Sequence, residues 1–522
     1  MKKEIVSKAI KGTWILTVAS FVSELLSAIY RIPLQNIVGD RGYFIYQQVY
    51  PLYGIFSVLA LTGLPVVFSK MFAQQENQPA RNKLFKVLFF TLLVCTVSLT
   101  VILWGSSRAI ATFMGDPSLY LEIRTVSLAF LLVPFEATLR GAFQSDLNMG
   151  PSAISQLLEQ LLRILLIIVA AVLFGKGLID IYKMGALANS GAFVGGVVAV
   201  VVLAVTFFRR ERNVFVDASE IKVKLERGFG LEIVLIVFFT GITIFYQFID
   251  SFSMIRLLMH SGMSLPQAEI SKGIFDRAQP LIQLGIVISV SFISTIMPQL
   301  KKRNQGDEHN QLIRRMTRVC LTLAIAETAG LIALMPDINT MLFTDSQGSV
   351  ALAIYMCSIF LVSTINLLIA VTSGDSSKNM AKLILFILSM ICKIFLNVLL
   401  VPRFYIAGAA VATVVSELVI LLGLLVVYHS DLKFLVLRVS FVLKTVLAGA
   451  IMALSVRAIE QLFVHFVFLT RKTSILINLI LIPVGIVIFV FLVWQFRLLS
   501  KKEWEILPLG KKLTKIMKIE DK

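Results

Sequence analysis

The sequence predicts an all-α polytopic membrane protein of about fourteen transmembrane helices, and three observations predict it. Of its 522 residues, 57% are apolar and only 15% charged, with a mean hydropathy of +0.86. A soluble chain carries about 25% charged residues, and no soluble interior hides this much apolar surface. Apolar runs of spanning length, roughly 20 residues each, follow one another along the whole chain. Their connections are too short for a catalytic domain, so the chain does not read as an enzyme. Counted with both termini, the segments on one side of the spans carry roughly four times as many Lys and Arg residues as those on the other, the asymmetry of cytoplasmic against external loops.

In chain order the runs fall at about 12–33, 43–69, 84–104, 119–139, 152–174, 184–208, 230–256, 273–298, 319–336, 349–372, 383–401, 405–428, 440–460 and 474–496. The first contains Glu24 and lacks a small-residue cleavage site, so it is expected to remain as span 1. Spans 1 and 7 start on the same side. Spans 1–6 (residues 1–208) and 7–12 (230–428) would therefore form two parallel six-helix lobes. A basic cytoplasmic linker at 209–229 would join them, with spans 13 and 14 in 429–500 and a basic cytoplasmic tail at 501–522. The charge pattern places both termini on the cytoplasmic side of the membrane. The net charge of +18 then follows from orientation and from anionic lipids as partners, and nucleic acid is not needed.

Cofactor chemistry is not signalled. Cys95, Cys320, Cys357 and Cys392 show no paired-ligand spacing. The four histidines are scattered near span ends, which argues against a zinc site. Gly510-Lys511-Lys512 lacks the upstream glycine of a nucleotide loop. Any drive would come from membrane potential, protons or sodium.

Charges inside spans carry the functional reading, because each costs on the order of 2.5–3.5 kcal/mol at mid-depth. Glu136 and Arg140 are four apart, as are Glu159 and Arg163, each acid leading, which is the favoured order for pairs on one helix face. These read as structural pairs locking span 4 to span 5. Glu24 and Arg31 lie two turns apart on span 1, about 10 Å, suited to one aqueous cavity. Asp250 falls in the outer half of span 7. Asp276 and Arg277 lie near the outer end of span 8, where adjacent residues point about 100° apart. Arg31 and Arg277 either line a cavity or snorkel to the interface, and Arg256 reads as a snorkelling anchor. Glu327, Glu417 and Lys393 read either as ion sites in the second lobe or as partners of one another.

One stretch is more specific than composition. Arg140-Gly141-Ala142-Phe143-Gln144 leads to Met149-Gly150-Pro151-Ser152-Ala153-Ile154-Ser155-Gln156, then Glu159-Gln160 and Arg163. Gly63-Leu64-Pro65 through Ser69-Lys70, and Ala407-Gly408-Ala409-Ala410-Val411-Ala412-Thr413, agree with it. Together they resemble the MurJ/SpoVB-type polysaccharide flippases, in the MOP superfamily that also contains the MATE drug exporters. The resemblance implies a two-lobed alternating-access fold and a lipid-linked oligosaccharide substrate, an undecaprenyl-diphosphate-linked sugar such as lipid II or a related cell-wall precursor. It also implies that Arg31 and Arg277 contact the diphosphate, with Glu24, Asp250 and Asp276 around them. Three acids against three bases (with Arg256) also fit a MATE-like proton- or sodium-coupled drug exporter.

Overall fold

The computed structural model describes residues 2–210, 229–287, 307–372, 377–429, 439–466, 470–507 and 510–517. Among these residues every regular element is a helix. Twelve helical stretches are long and apolar enough to cross a membrane. One of them, Asn379–Val427, is a hairpin: the chain reverses at Tyr405 (φ 52°, ψ −132°), shortly after Pro402. Its arms are antiparallel, since Lys378 Nζ donates to Val427 O at 3.2 Å and Lys393 Nζ to Thr413 Oγ1 at 2.7 Å. Counting the two arms separately gives thirteen of the expected spans. The other, at 273–298, is helical from 278 to 287 and then leaves the described residues. The linker at 209–229 also lies almost entirely outside them.

Helix Arg31–Gln48 breaks at Gly39, whose φ of 69° is a left-handed conformation that only glycine adopts without strain. The break separates the helix through Arg31 from the one carrying Tyr43 onward.

The chain divides into two compact units, Met1–Asp276 with Asn397–Arg403, and Arg277–Leu396 with Phe404–Lys522. This division by packing does not coincide with the lobes expected from span order. Helix Ile242–His260 belongs with the first unit because its side chains fill space left by glycines there: Ile244 covers Gly54, and Ile255 covers Gly115.

Each unit carries one copy of the same turn. In the first, helix Ser107–Met114 ends at Gly115 (φ 99°), and Asp116 Oδ1 then accepts from Ser118 N at 2.9 Å. In the second, helix Met335–Phe343 ends at Thr344 (φ 77°), and Asp345 Oδ1 accepts from Gln347 N at 2.8 Å. The copies follow the helices of spans 3 and 9, Gln78–Gly105 and Asp307–Ala333.

Two of the family-like segments, around Gly63 and around Arg140-Gly141, are packing devices of the first unit. Residues Val58–Thr62 form a π-helical turn just ahead of Gly63-Leu64-Pro65, and such wide turns redirect backbone groups away from the α-helical ladder. The Ala60 carbonyl there accepts from Arg140 Nη1 at 3.0 Å. Gly141 lies under Phe68, where an added Cβ would approach the Phe68 Cβ to 2.7 Å. Gly191 and Gly195 of helix Ile181–Arg210 face the backbone of Arg163 and Glu159 in the same way, a small-residue seam of the kind that brings spanning helices close.

Candidate functional site

In the first unit, helix Lys2–Ile29 gives way at Tyr30 to helix Arg31–Gln48. Tyr43, Tyr46, Tyr50 and Tyr53 recur at three- and four-residue spacing and so share one helix face. All four are buried, as is Tyr30. Two guanidinium groups lie against this aromatic cluster. Arg31 is 1% exposed, and its guanidinium carbon sits 4.4 Å from the Tyr50 ring centre and 6.0 Å from that of Tyr30. Arg163 sits 4.2 Å from the Tyr53 ring centre and 5.3 Å from Tyr30. The Tyr30 and Tyr46 hydroxyls hydrogen-bond to each other at 2.6 Å.

The two arginines differ in how they are satisfied. Arg163 donates to Gln160 Oε1 at 3.0 and 3.2 Å and to Ser27 Oγ at 3.2 Å. Arg31 leaves Nε and Nη2 without any hydrogen-bond partner, and among the described residues it forms no ion pair. Cation–π contact with desolvated rings is worth about 2 kcal/mol, while the penalty for burying a charge is several kcal/mol. Glu24 is half-buried and is an electrostatic neighbour of Tyr50, the ring beneath Arg31.

The remaining residues expected at the site are placed as follows. Asp276 accepts from Lys272 Nζ at 2.5 Å, both side chains being buried, and Asp250 and Arg31 act on its charge from nearby. Sequence reasoning placed Lys272 in a polar connection and missed it. The structure puts it on helix Leu265–Asp276, one turn before the acid. Asp250 is buried and accepts from Asn397 Nδ2 at 2.8 Å. Arg256 donates to Thr112 O at 3.0 Å and covers the Phe113 ring at 4.3 Å, so it anchors the short helix Ser107–Met114.

Arg277 belongs to the second unit and is fully buried. Its fork grips Asp345 with Nη1 to Oδ1 at 2.8 Å and Nη2 to Oδ2 at 3.0 Å, while Nη1 also donates to Asn339 Oδ1 at 3.2 Å. Burial pushes the Asp345 carboxyl up, but the Arg277 hydrogen bond and the Gln347 N–H outweigh it and hold Asp345 below the usual carboxylate range. A carboxyl depressed in this way is ionised at neutral pH, and its grip on Arg277 weakens only as pH falls through the lowered value.

The pairs expected between spans 4 and 5 are arranged differently from their spacing. Arg140 bridges Glu136 at 2.5 Å and Glu159 at 3.0 Å, all three side chains being buried. Glu159 thus pairs across helices with Arg140 and not along its own helix with Arg163. The cross-helix geometry wins because Arg140 lies between both acids, while Arg163 turns toward the tyrosines. In the second unit Lys393 is buried and donates to Ala409 O at 3.1 Å as well as to Thr413 Oγ1. Among the described residues no group of three His, Cys, Asp or Glu could hold a metal.

Twelve helical stretches long and apolar enough to cross a membrane, with charged side chains buried among aromatic rings, define a multi-pass membrane protein. The sequence of the polysaccharide biosynthesis protein family matches residues 9–304. The uncharacterized membrane protein YabM of Bacillus subtilis (strain 168) is 32% identical over 517 residues, 97% of this chain and 96% of that protein. The chain belongs to the polysaccharide biosynthesis protein family. The lipid II flippase MurJ of the same organism is 25% identical over 495 residues, 88% of this chain and 90% of its own. The fold is that of solved MOP-superfamily proteins. Lipid II flippase MurJ in an inward closed conformation aligns at TM-score 0.66 with 14% identity, covering 92% of this chain and 98% of that one. An inward-facing multidrug MATE transporter aligns at 0.58 with 16% identity, covering 79% and 95%.

Proposed function

We propose that the protein is an alternating-access flippase that moves an undecaprenyl-diphosphate-linked saccharide, a cell-wall or related polysaccharide precursor, from the inner to the outer leaflet. Arg31 carries this reading. It is a buried guanidinium with two unpartnered donors and no ion pair among the described residues, and charge-assisted bidentate bonding to phosphate is the interaction such a fork fits best. The tyrosines around it supply a low-dielectric wall in which that bond is strengthened. The family, and the lipid II flippase among its relatives, support the same substrate class. A cation-coupled drug exporter would instead use carboxylates such as Glu24 and Asp250. Asp250 is buried as that reading requires, so the test must separate the two.

The driving force separates them. Moving about two negative charges outward against an interior-negative potential gains roughly 2.3 kcal/mol per charge per 100 mV, if the protein's own cations stay fixed. In proteoliposomes, an interior-negative potassium–valinomycin potential is expected to accelerate outward movement of undecaprenyl-diphosphate-linked sugar with no ion gradient imposed. Export that ignores the potential, needs a proton or sodium gradient and is inhibited by drug cations would favour the exporter.

Orientation is part of the same proposal, with both termini in the cytoplasm. In a cysteine-free background, Lys512→Cys is expected to react with an impermeant maleimide only after the membrane is opened, and Asp180→Cys in intact cells. Labelling of both from the same side would sink this topology. Asp180 is a suitable reporter because it is exposed and caps helix Ile181–Arg210 through Lys183 N at 2.9 Å.

A further inference from the structure

We propose that Glu122 is a proton-binding site at the Asp180 end of the first unit, the external end in the topology proposed above, where it exchanges a proton with water. The site is independent of the substrate reading and uses none of the arginines invoked there.

Glu122 lies on helix Tyr120–Ser127 and is 0% exposed. Neither carboxyl oxygen has a hydrogen-bond partner, and among the described residues Glu122 forms no ion pair. Helix Ile181–Arg210 meets it at Gly185, where an added Cβ would come within 2.8 Å of Glu122 Oε1. The absent side chain leaves the room that the carboxyl occupies.

The surroundings offer this carboxyl no cation. Among the described residues, the groups acting on its charge are its own backbone N–H and two acids, Asp116 and Asp180. Asp116 is buried ahead of the helix and is also a neighbour of Tyr182. Asp180 is exposed and caps helix Ile181–Arg210. The Lys183 N–H and ammonium, with the Tyr182 N–H, hold Asp180 below the usual carboxylate range, so it is ionised at neutral pH. The bases at this end have other partners. Lys183 pairs with Asp180 at 3.1 Å, and Arg41 grips Glu269 at 2.6 Å. Arg124 donates to Ser107 Oγ at 2.9 Å, and Arg108 covers the Tyr120 ring at 5.2 Å. On helix Tyr50–Ser57, Tyr50 and Tyr53 lie against Arg31 and Arg163.

A buried carboxylate with no partner takes up a proton in preference to staying ionised. A metal ion would need further ligands, and among the described residues no group of three His, Cys, Asp or Glu could hold one. The proton is the cation that fits. On release the Glu122 O–H bond breaks, its electron pair stays on the carboxylate, and the proton passes to water at the Asp180 end. The carboxylate left behind faces two acids. The element that must yield is the head of helix Ile181–Arg210, which carries Gly185 and follows the Asp180 cap. Proton occupancy therefore sets how that helix head packs on span 4.

The test is infrared difference spectroscopy of the full chain in an ester-free detergent, comparing wild type with Glu122→Gln. A protonated-carboxyl C=O band is expected in wild type and absent from the variant. It is expected to shift when water is replaced by heavy water, and to fade as pH is raised. Identical spectra for the two proteins would mean that Glu122 carries no proton and would overturn the site. A band that does not shift in heavy water, or that persists at every pH at which the protein stays folded, would make Glu122 a sealed structural acid and overturn the exchange. Loss of the band on adding sodium at constant pH would overturn the choice of proton over metal ion. Should Glu122→Gln fail to fold, Glu122→Asp keeps the acid on a shorter side chain, and its band is expected at a different frequency. An unmoved band would belong to another carboxyl and overturn the proposal. No substrate is present in any of these measurements, so their failure leaves the flippase reading where it stands.

Discussion

Arg31→Ala is expected to abolish transport while leaving the protein as stable as before, or slightly more stable. The two effects have one cause. Arg31 is buried, forms no ion pair among the described residues, and its Nε and Nη2 donors meet no hydrogen-bond partner. Removing it takes away an uncompensated charge, which is neutral or stabilising when the group has no partner to strand. In the loaded protein the same side chain supplies charge-assisted hydrogen bonds of about 1.5–3 kcal/mol each. Two of them account for a loss on the order of 10²- to 10⁴-fold. Arg31→Lys is expected to recover a small part, because an ammonium keeps the charge but not the planar fork. Transport of undecaprenyl-diphosphate-linked sugar in proteoliposomes, beside a thermal melt of the same preparation, reads both halves. Full transport by Arg31→Ala, or a large drop in melting temperature, would remove Arg31 from the substrate site.

What the sequence revealed and what it hid divide along physical lines. Spans were legible because hydropathy is a local property and a bilayer demands long apolar runs. Even the reversal at Tyr405 was visible, as the short gap between runs at 383–401 and 405–428. The tyrosine face was legible too, since Tyr43, Tyr46, Tyr50 and Tyr53 have helical spacing, but charges drew attention away from it. Tertiary partners were not legible. Glu159 and Arg163 have ideal spacing for a pair on one helix, yet a neighbouring helix offers Glu159 a better-placed cation in Arg140. Asp345 lies 68 residues from Arg277, in a turn whose side-chain direction depends on the left-handed residue before it. No local pattern couples two such positions. Lys272 was hidden by a boundary error of a few residues, because helix Leu265–Asp276 begins ahead of the apolar run. The packing division after Asp276 was hidden for a further reason: span order shows how a chain repeats, and contacts decide what packs with what.

Arg140→Ala is expected to produce the opposite signature to Arg31→Ala, a loss of folding that carries transport down with it. Arg140 donates to Glu136, Glu159, Ser155 Oγ and the Ala60 carbonyl of the π-helical turn, tying the turn in span 2 to spans 4 and 5. Its removal strands two buried carboxylates at once. Breaking one buried pair costs about 3–5 kcal/mol, a large fraction of the roughly 5–15 kcal/mol that holds a typical soluble domain together. Glu159→Ala removes one acid and leaves Arg140 on Glu136, so its cost is expected to be smaller. If charge is the cause, neutralising both acids with the arginine should restore much of the loss. The triple variant Glu136→Gln, Arg140→Met, Glu159→Gln is expected to melt well above Arg140→Ala, though below wild type because the Ala60 carbonyl stays without its donor. A triple variant no more stable than Arg140→Ala would mean that the Ala60 and Ser155 hydrogen bonds, and not the ionic bridge, join these spans. That result would move the structural role of the Arg140-Gly141 segment from electrostatics to backbone satisfaction.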